Sequence, residues 1–128
     1  MALALLRLAR LTGEEEYERR AEGVIALLHP LAAAHPSAFA HLLAAIDFQQ
    51  AEVHEVAIVG PQAAPLERVV RGAYRPRVVL AGGEDPEGVV PLLAGRGPVD
   101  GRAAAYVCED FACRAPVTEP AALAKVLG

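Results

Sequence analysis

At Glu52 the hydrophobic pattern of the chain changes period, and this constrains the fold more than any other feature of the sequence. Before it, apolar residues recur at helical spacing; after it, they gather in short β-branched runs that end in glycine. The chain is therefore read as two parts. Residues 1–51 form a helical segment, and residues 52–128 a small Rossmann-like α/β domain.

In the helical part, leucines at positions 3, 5, 6, 8 and 11 would point in nearly every direction from a first helix, so that helix needs neighbours on most sides. Thr12-Gly13 ends it. Glu14, Glu15 and Glu16 then sit at the start of a second helix, where acidic side chains favour the positive end of the helix dipole. Tyr17, Ala21, Val24, Ile25 and Leu28 give this helix one apolar face. His29-Pro30 through His35-Pro36 is expected to break the chain, because the residue before a proline is pushed from helical angles. Pro36 then opens a third helix running to about Gln50, with Phe39, Leu42, Leu43 and Ile46 on one face and His41, Ala45 and Phe48 on another. These helices carry more apolar surface than they can cover themselves. A partner or an oligomer is expected.

In the α/β part, Glu55-Val-Ala-Ile-Val-Gly60 and Arg77-Val-Val-Leu-Ala-Gly-Gly83 have the form of buried parallel strands, separated by a helix from Pro65 to Ala73. Pro86 to Leu93 reads as a loop, Asp100-Gly101 as a tight turn, and Ala103 to Cys108 as a third strand. Thr118 is expected to cap a final helix with Pro120 in its first turn. The resulting fold class is α/β: N-terminal helices followed by a three-stranded, mostly parallel sheet with flanking helices. Right-handed crossovers would then gather all three strand C-termini at one edge.

That edge is the expected ligand crevice. It would bring together Gly60-Pro61, Gly82, Gly83, Glu84 and Asp85, and Cys108, Glu109 and Asp110 with Cys113. Gly60, Gly82, Gly83, Glu84 and Asp110 are the candidate ligand-binding residues; Cys108, Cys113, Glu109 and Asp85 are the candidate catalytic ones. No glycine-rich phosphate cradle is present, since Gly60-Pro-Gln-Ala-Ala-Pro65 has one glycine where a dinucleotide fingerprint needs three, and Pro61 has no amide hydrogen. No cofactor is expected. The cysteine pair lacks Cys-x-x-Cys spacing, and no basic residue directly precedes either to lower its pKa. One buried sheet cysteine and one loop thiol is the plain reading, with a redox pair as the alternative. A closed zinc site usually presents two tight Cys or His pairs and only one loose pair exists, so no metal is assigned.

Composition narrows the classes. A net charge of −4 and a pI near 5.5 offer no basic face for nucleic acid or anionic membrane. Arg7 and Arg10 interrupt the opening apolar run, which excludes a signal-peptide reading, and no stretch is long enough to span a bilayer. A cytoplasmic location is expected, with the cysteines reduced rather than bridged. Ser37 is the chain's one serine; it sits at a helix start beside Pro36, with no strained turn to expose it as a nucleophile. Arg68, Arg71 and Arg75, with Glu67, read as a solvated helix face. The absence of asparagine suits a thermophile.

Four stretches carry a family resemblance: Ala4 to Gly13 with Tyr17 to Ala21, Pro36 to Phe48, Glu55 to Gly60, and above all Pro98 to Pro120 with its Tyr-Val-Cys-Glu-Asp-Phe-Ala-Cys core. On these the chain resembles the C-terminal portion of the thioredoxin-domain-containing family of spermatogenesis-associated protein 20 and its bacterial YyaL-type relatives. The resemblance implies a layout of an N-terminal thioredoxin-like domain, a central (α/α)₆ barrel similar to N-acylglucosamine 2-epimerases, and a small C-terminal α/β region. Residues 1 to about 50 would then be the end of the barrel. Because the helices carry more apolar surface than the chain can cover, the function expected is that of a noncatalytic C-terminal module completing such a larger protein, by association with a separately encoded N-terminal thioredoxin-like and barrel chain or as a homo-oligomer. A thiol-redox or small-ligand site at the sheet edge is the alternative.

Overall fold

The computed structural model describes residues 1–84 and 89–128 of the chain. It divides into two compact units, Met1–Glu52 and Val53–Gly128.

The first unit holds three helices: α1 (Ala2–Thr12), α2 (Glu15–Ala34) and α3 (Ala40–Gln50), the last preceded by a 3₁₀ turn over Pro36–Phe39. Gly13 ends α1 in the left-handed conformation with its amide on the Ala9 carbonyl, as expected of a glycine past a helix end. Ala2, Leu6, Ala9, Ala21, Ala32, Leu42, Ala45 and Phe48 are its buried apolar residues, and the Arg7 guanidinium lies 5.5 Å from the Phe48 ring centroid, tying α1 to α3. On α2, Glu16 pairs with Arg20 at 2.7 Å and with Arg19. The Arg20 hydrogen bond, followed by the charge of Arg19, holds the Glu16 carboxyl below its ordinary pKa.

Pro30 does not break α2, which continues to Ala34. A proline inside a helix orphans the carbonyl four residues back. Here Pro30 and Ala26 are both exposed, so water can take up the freed Ala26 carbonyl. The third helix also starts later than expected, because Pro36 opens a 3₁₀ turn instead of the helix proper.

The second unit is a four-stranded mixed sheet with order β2-β1-β3-β4, where β1 is His54–Val59, β2 Val78–Gly83, β3 Ala104–Glu109 and β4 Ala112–Cys113. Helices α4 (Ala64–Arg71) and α5 (Pro120–Leu127) pack on one face over Val56, Ile58, Ala105 and Val107, with Leu66, Val70 and Leu123 as their buried anchors. Strands β1 and β2 are parallel, as their β-branched runs suggest, with Val56 opposite Leu80. Burial of Val56 to Val59 at 0% shows that β1 is covered on both faces.

The mostly parallel, three-stranded expectation fails at β3. It runs antiparallel to β1, with Val59 opposite Ala104 and Glu55 opposite Cys108. The connection from β2 contains, among the described residues, a 3₁₀ turn (Pro91–Leu93) and the Asp100-Gly101 turn, but no crossover helix. It leaves β2 and enters β3 at the same edge of the sheet, which reverses the strand. The expected tight turn at Asp100-Gly101 is present, both residues having positive φ with Val99 and Arg102 bridged across them.

The fourth strand, read from the sequence as loop, follows a two-residue turn at Asp110-Phe111. The chain then continues along the outer edge of β3, where Arg114 donates to the Val107 carbonyl and Val117 exchanges hydrogen bonds with Ala105. Thr118 does not cap α5: Glu119 occupies that position without a side-chain cap bond, and the Thr118 hydroxyl faces Arg102 at 3.3 Å.

Candidate functional site

Reversal of β3 separates the residues expected to share one crevice. Gly60, Gly82, Gly83 and Glu84 lie at the edge where β1 and β2 end. Cys108, Glu109 and Asp110 lie at the opposite edge, beside the start of β1 at His54 and Glu55. Asp85 lies outside the described residues.

At the Gly60 edge the place of the cysteine loop is taken by the segments that begin β3 and α5. A cleft of about 440 Å³ opens there between Pro61 and Gln62 on one side and Arg102, Thr118 and Glu119 on the other. Gly60 makes the approach possible: its φ is +114°, and a Cβ on it would stand 2.9 Å from the Pro98 Cβ and 3.1 Å from the Ala103 Cα. Arg102 is committed to Glu119 at 2.7 Å, and Pro65 and Pro120, in the first turns of the two flanking helices, lack amide hydrogens.

The opposite edge carries the denser chemistry. Asp110 and Phe111 have φ of 47° and 64°, the pair of left-handed residues that makes a two-residue hairpin turn. Such a turn sets Glu109 against Ala112 and Cys108 against Cys113. The two cysteines, with Cα atoms 3.9 Å apart, form a disulfide. This corrects the expectation of reduced thiols: a cross-strand position in a tight hairpin brings the sulfurs together, so spacing other than Cys-x-x-Cys is no obstacle. The two sulfurs differ in surroundings, Cys108 being buried at 1% exposure and Cys113 exposed.

Side chains distant in sequence hold this hairpin. Glu55, fully buried on β1, accepts the Phe111 amide at 2.8 Å. Glu109 accepts Arg114 at 2.8 Å and meets His54 Nε2 at 3.1 Å, so this candidate carboxylate is engaged in an ion pair beside the strands. Arg96 reaches the disulfide from the loop before β3, with Nη2 2.8 Å and Nε 3.2 Å from Cys113 Sγ, and Nη2 3.7 Å from Cys108 Sγ. Arg96 stands beside neither cysteine in the sequence and so carries no local signal of this contact. Residues 12 and 17 positions away are brought to it by the antiparallel return of β3.

A third feature belongs to the helical unit. Met1, Leu5, Gly23, Val24 and Leu27, with Arg20 at the rim, line an open apolar groove of about 440 Å³ between α1 and α2. Leu27 is 77% exposed, and Leu31, one helical turn further along α2, is 52% exposed. His41 is exposed on α3 and lines no described cavity.

Over 96% of its length the chain aligns with human spermatogenesis-associated protein 20 at 28% identity, with the rat protein of that name at 30%, and with the mouse protein at 28%. The chain is similar to one segment of spermatogenesis-associated protein 20. It spans 17% of the length of these relatives, consistent with the C-terminal portion that Pro98 to Pro120 and the other three stretches suggest. No protein-family model matches the chain, and no solved structure is significantly similar to it. Among the described residues no helix is long and apolar enough to cross a membrane.

Proposed function

We propose that the chain acts as a C-terminal module of a larger protein like spermatogenesis-associated protein 20, docking through its helical unit onto the thioredoxin-like and barrel domains that the family resemblance implies. The observation that carries this reading is the apolar groove between α1 and α2, with Leu27 in its lining and Leu31 one helical turn further along α2. The helical unit supplies Met1, Leu8, Leu27, Leu31 and Leu43 of the chain's large exposed apolar residues. Leu27 at 77% and Leu31 at 52% exposure, one turn apart on α2, each forgo part of the roughly 1.5–3 kcal/mol that full burial of a leucine gives, so this apolar pair beside the groove is expected to be covered in the working protein. The alignment to 17% of much longer relatives supports the same reading.

The test combines size-exclusion chromatography and light scattering with binding of an apolar fluorescent dye, on the chain and on Leu27→Glu/Leu31→Glu. Dye binding or self-association that is abolished in the double variant is the expected result. A compact monomer that binds no dye overturns the proposal.

A further inference from the structure

Docking through the helices gives no role to three properties of the β3–β4 hairpin: unequal exposure of its sulfurs, a guanidinium fixed against the exposed one, and the position of β4 at the sheet edge. We infer that Cys108–Cys113 is a thiol–disulfide exchange site, in which Cys113 meets the co-reactant, Cys108 is the resolving sulfur, and Arg96 stabilises the Cys113 thiolate. The co-reactant is a dithiol on another polypeptide segment, presented in extended form along the open side of β4.

The order of events follows from access. An incoming thiolate must approach along the S–S axis from the far side of the sulfur that it attacks. Cys108 is buried at 1% exposure, so attack falls on Cys113. The co-reactant's first thiolate forms a bond to Cys113 Sγ, the Cys108–Cys113 bond breaks, and its electron pair leaves on Cys108 Sγ, 3.7 Å from Arg96 Nη2. The co-reactant's second thiolate then attacks its own sulfur in the mixed disulfide and expels Cys113 Sγ as thiolate onto Arg96 Nη2 and Nε. One disulfide is lost here and one is formed on the co-reactant. Two electrons pass to this chain, and the co-reactant's two thiol protons end on Cys108, on Cys113 or in solvent. Run in reverse, the Cys113 thiolate attacks a disulfide and Cys108 resolves it.

Arg96 is built for the reduced state. Its Nη1 donates to the carbonyls of Leu92 and Ala94, the Leu92 side chain is fully buried, and the Tyr106 hydroxyl donates to Gly97 O at 2.7 Å. The guanidinium is therefore positioned before any charge appears. A disulfide sulfur is a poor acceptor for two N–H groups, whereas a thiolate is a strong one, so these contacts gain most when the bond opens. The other charged groups around the hairpin are Glu55, opposite Cys108 and bonded to the Phe111 amide, Asp110 in the turn, and Glu109, which is engaged with Arg114 and His54 beside Glu52; Arg96 is the cation placed on Cys113 Sγ.

The chain with Cys108→Ser leaves Cys113 as a single thiol whose alkylation by iodoacetamide can be followed against pH by mass spectrometry. The expected midpoint lies at least about one pH unit below the ordinary thiol value of ~8.5, returns to that value in Cys108→Ser/Arg96→Gln, and is partly kept by Arg96→Lys. A midpoint at or above the ordinary value, or one indifferent to Arg96→Gln, overturns the inference. The unmutated chain gives a second readout that no folding defect can mimic. Its disulfide should be opened under native conditions by a dithiol peptide, about tenfold faster than in Arg96→Gln. A disulfide that resists dithiothreitol until the chain is denatured overturns the inference as well.

Discussion

The carboxylate of Glu55 accepts the backbone amide of Phe111 at 2.8 Å, from the fully buried interior of β1 to the tip of the β3–β4 turn. The bond spans 56 positions of sequence and holds a residue in a conformation it would otherwise avoid. Phe111 has φ of 64°, which costs a side-chain-bearing residue on the order of 1–2 kcal/mol. A buried carboxylate at that amide offsets the cost.

Glu55→Ala removes this acceptor and leaves the Phe111 amide without its charged partner. The expected loss is about 2–3 kcal/mol of stability in urea unfolding, with faster amide exchange at Phe111. Glu55→Gln keeps a neutral acceptor of similar shape and is expected to lose less. Equal losses in the two variants would show that the charge of Glu55 does not matter to the turn.

Gly60→Ala tests the other edge of the sheet. At φ +114° an alanine is strained, and its Cβ would press on the Pro98 side chain and the Ala103 backbone. Backbone strain of about 1–3 kcal/mol and overpacking of similar size are expected together to destabilise the unit by roughly 2–4 kcal/mol. Thermal unfolding measures this, and a change under about 0.5 kcal/mol, the scale of an ordinary surface substitution, would contradict the close approach.

The two predictions lie at opposite edges, and the difference marks what the sequence made legible. The short β-branched runs identified β1 and β2, and Asp100-Gly101 identified its turn, because each signal is local. The direction of β3 was not local. Its apolar run reads the same parallel or antiparallel, and the lack of a helical apolar pattern in the sequence between the second and third runs was the available clue that it reverses. The disulfide was legible in principle: with a two-residue turn at Asp110-Phe111, Cys108 and Cys113 fall directly opposite each other. That turn was obscured by the phenylalanine, a residue type foreign to left-handed positions, whose conformation depends on Glu55 far away. Arg96 left no signal beside the cysteines because only the folded chain brings it there.

Reduction of Cys108–Cys113 gives the last prediction. The bridge closes a loop with a sequence separation of 5, so in the loop-entropy account it constrains the unfolded chain by roughly 2 kcal/mol. A folded domain commonly has 5–15 kcal/mol in reserve, and the hairpin keeps the Glu55–Phe111, Arg114–Val107 and Val117–Ala105 hydrogen bonds whether or not the sulfurs are joined. Opening the bond should therefore leave the sheet folded. Circular dichroism with and without a phosphine reductant is expected to show the same spectrum and a melting temperature lowered by roughly 10 °C. If reduction unfolds the chain at room temperature instead, the bridge is a staple that the fold depends on. A sheet that stays folded through reduction can carry the cysteines between both states, which is the condition any exchange of electrons at Cys113 requires.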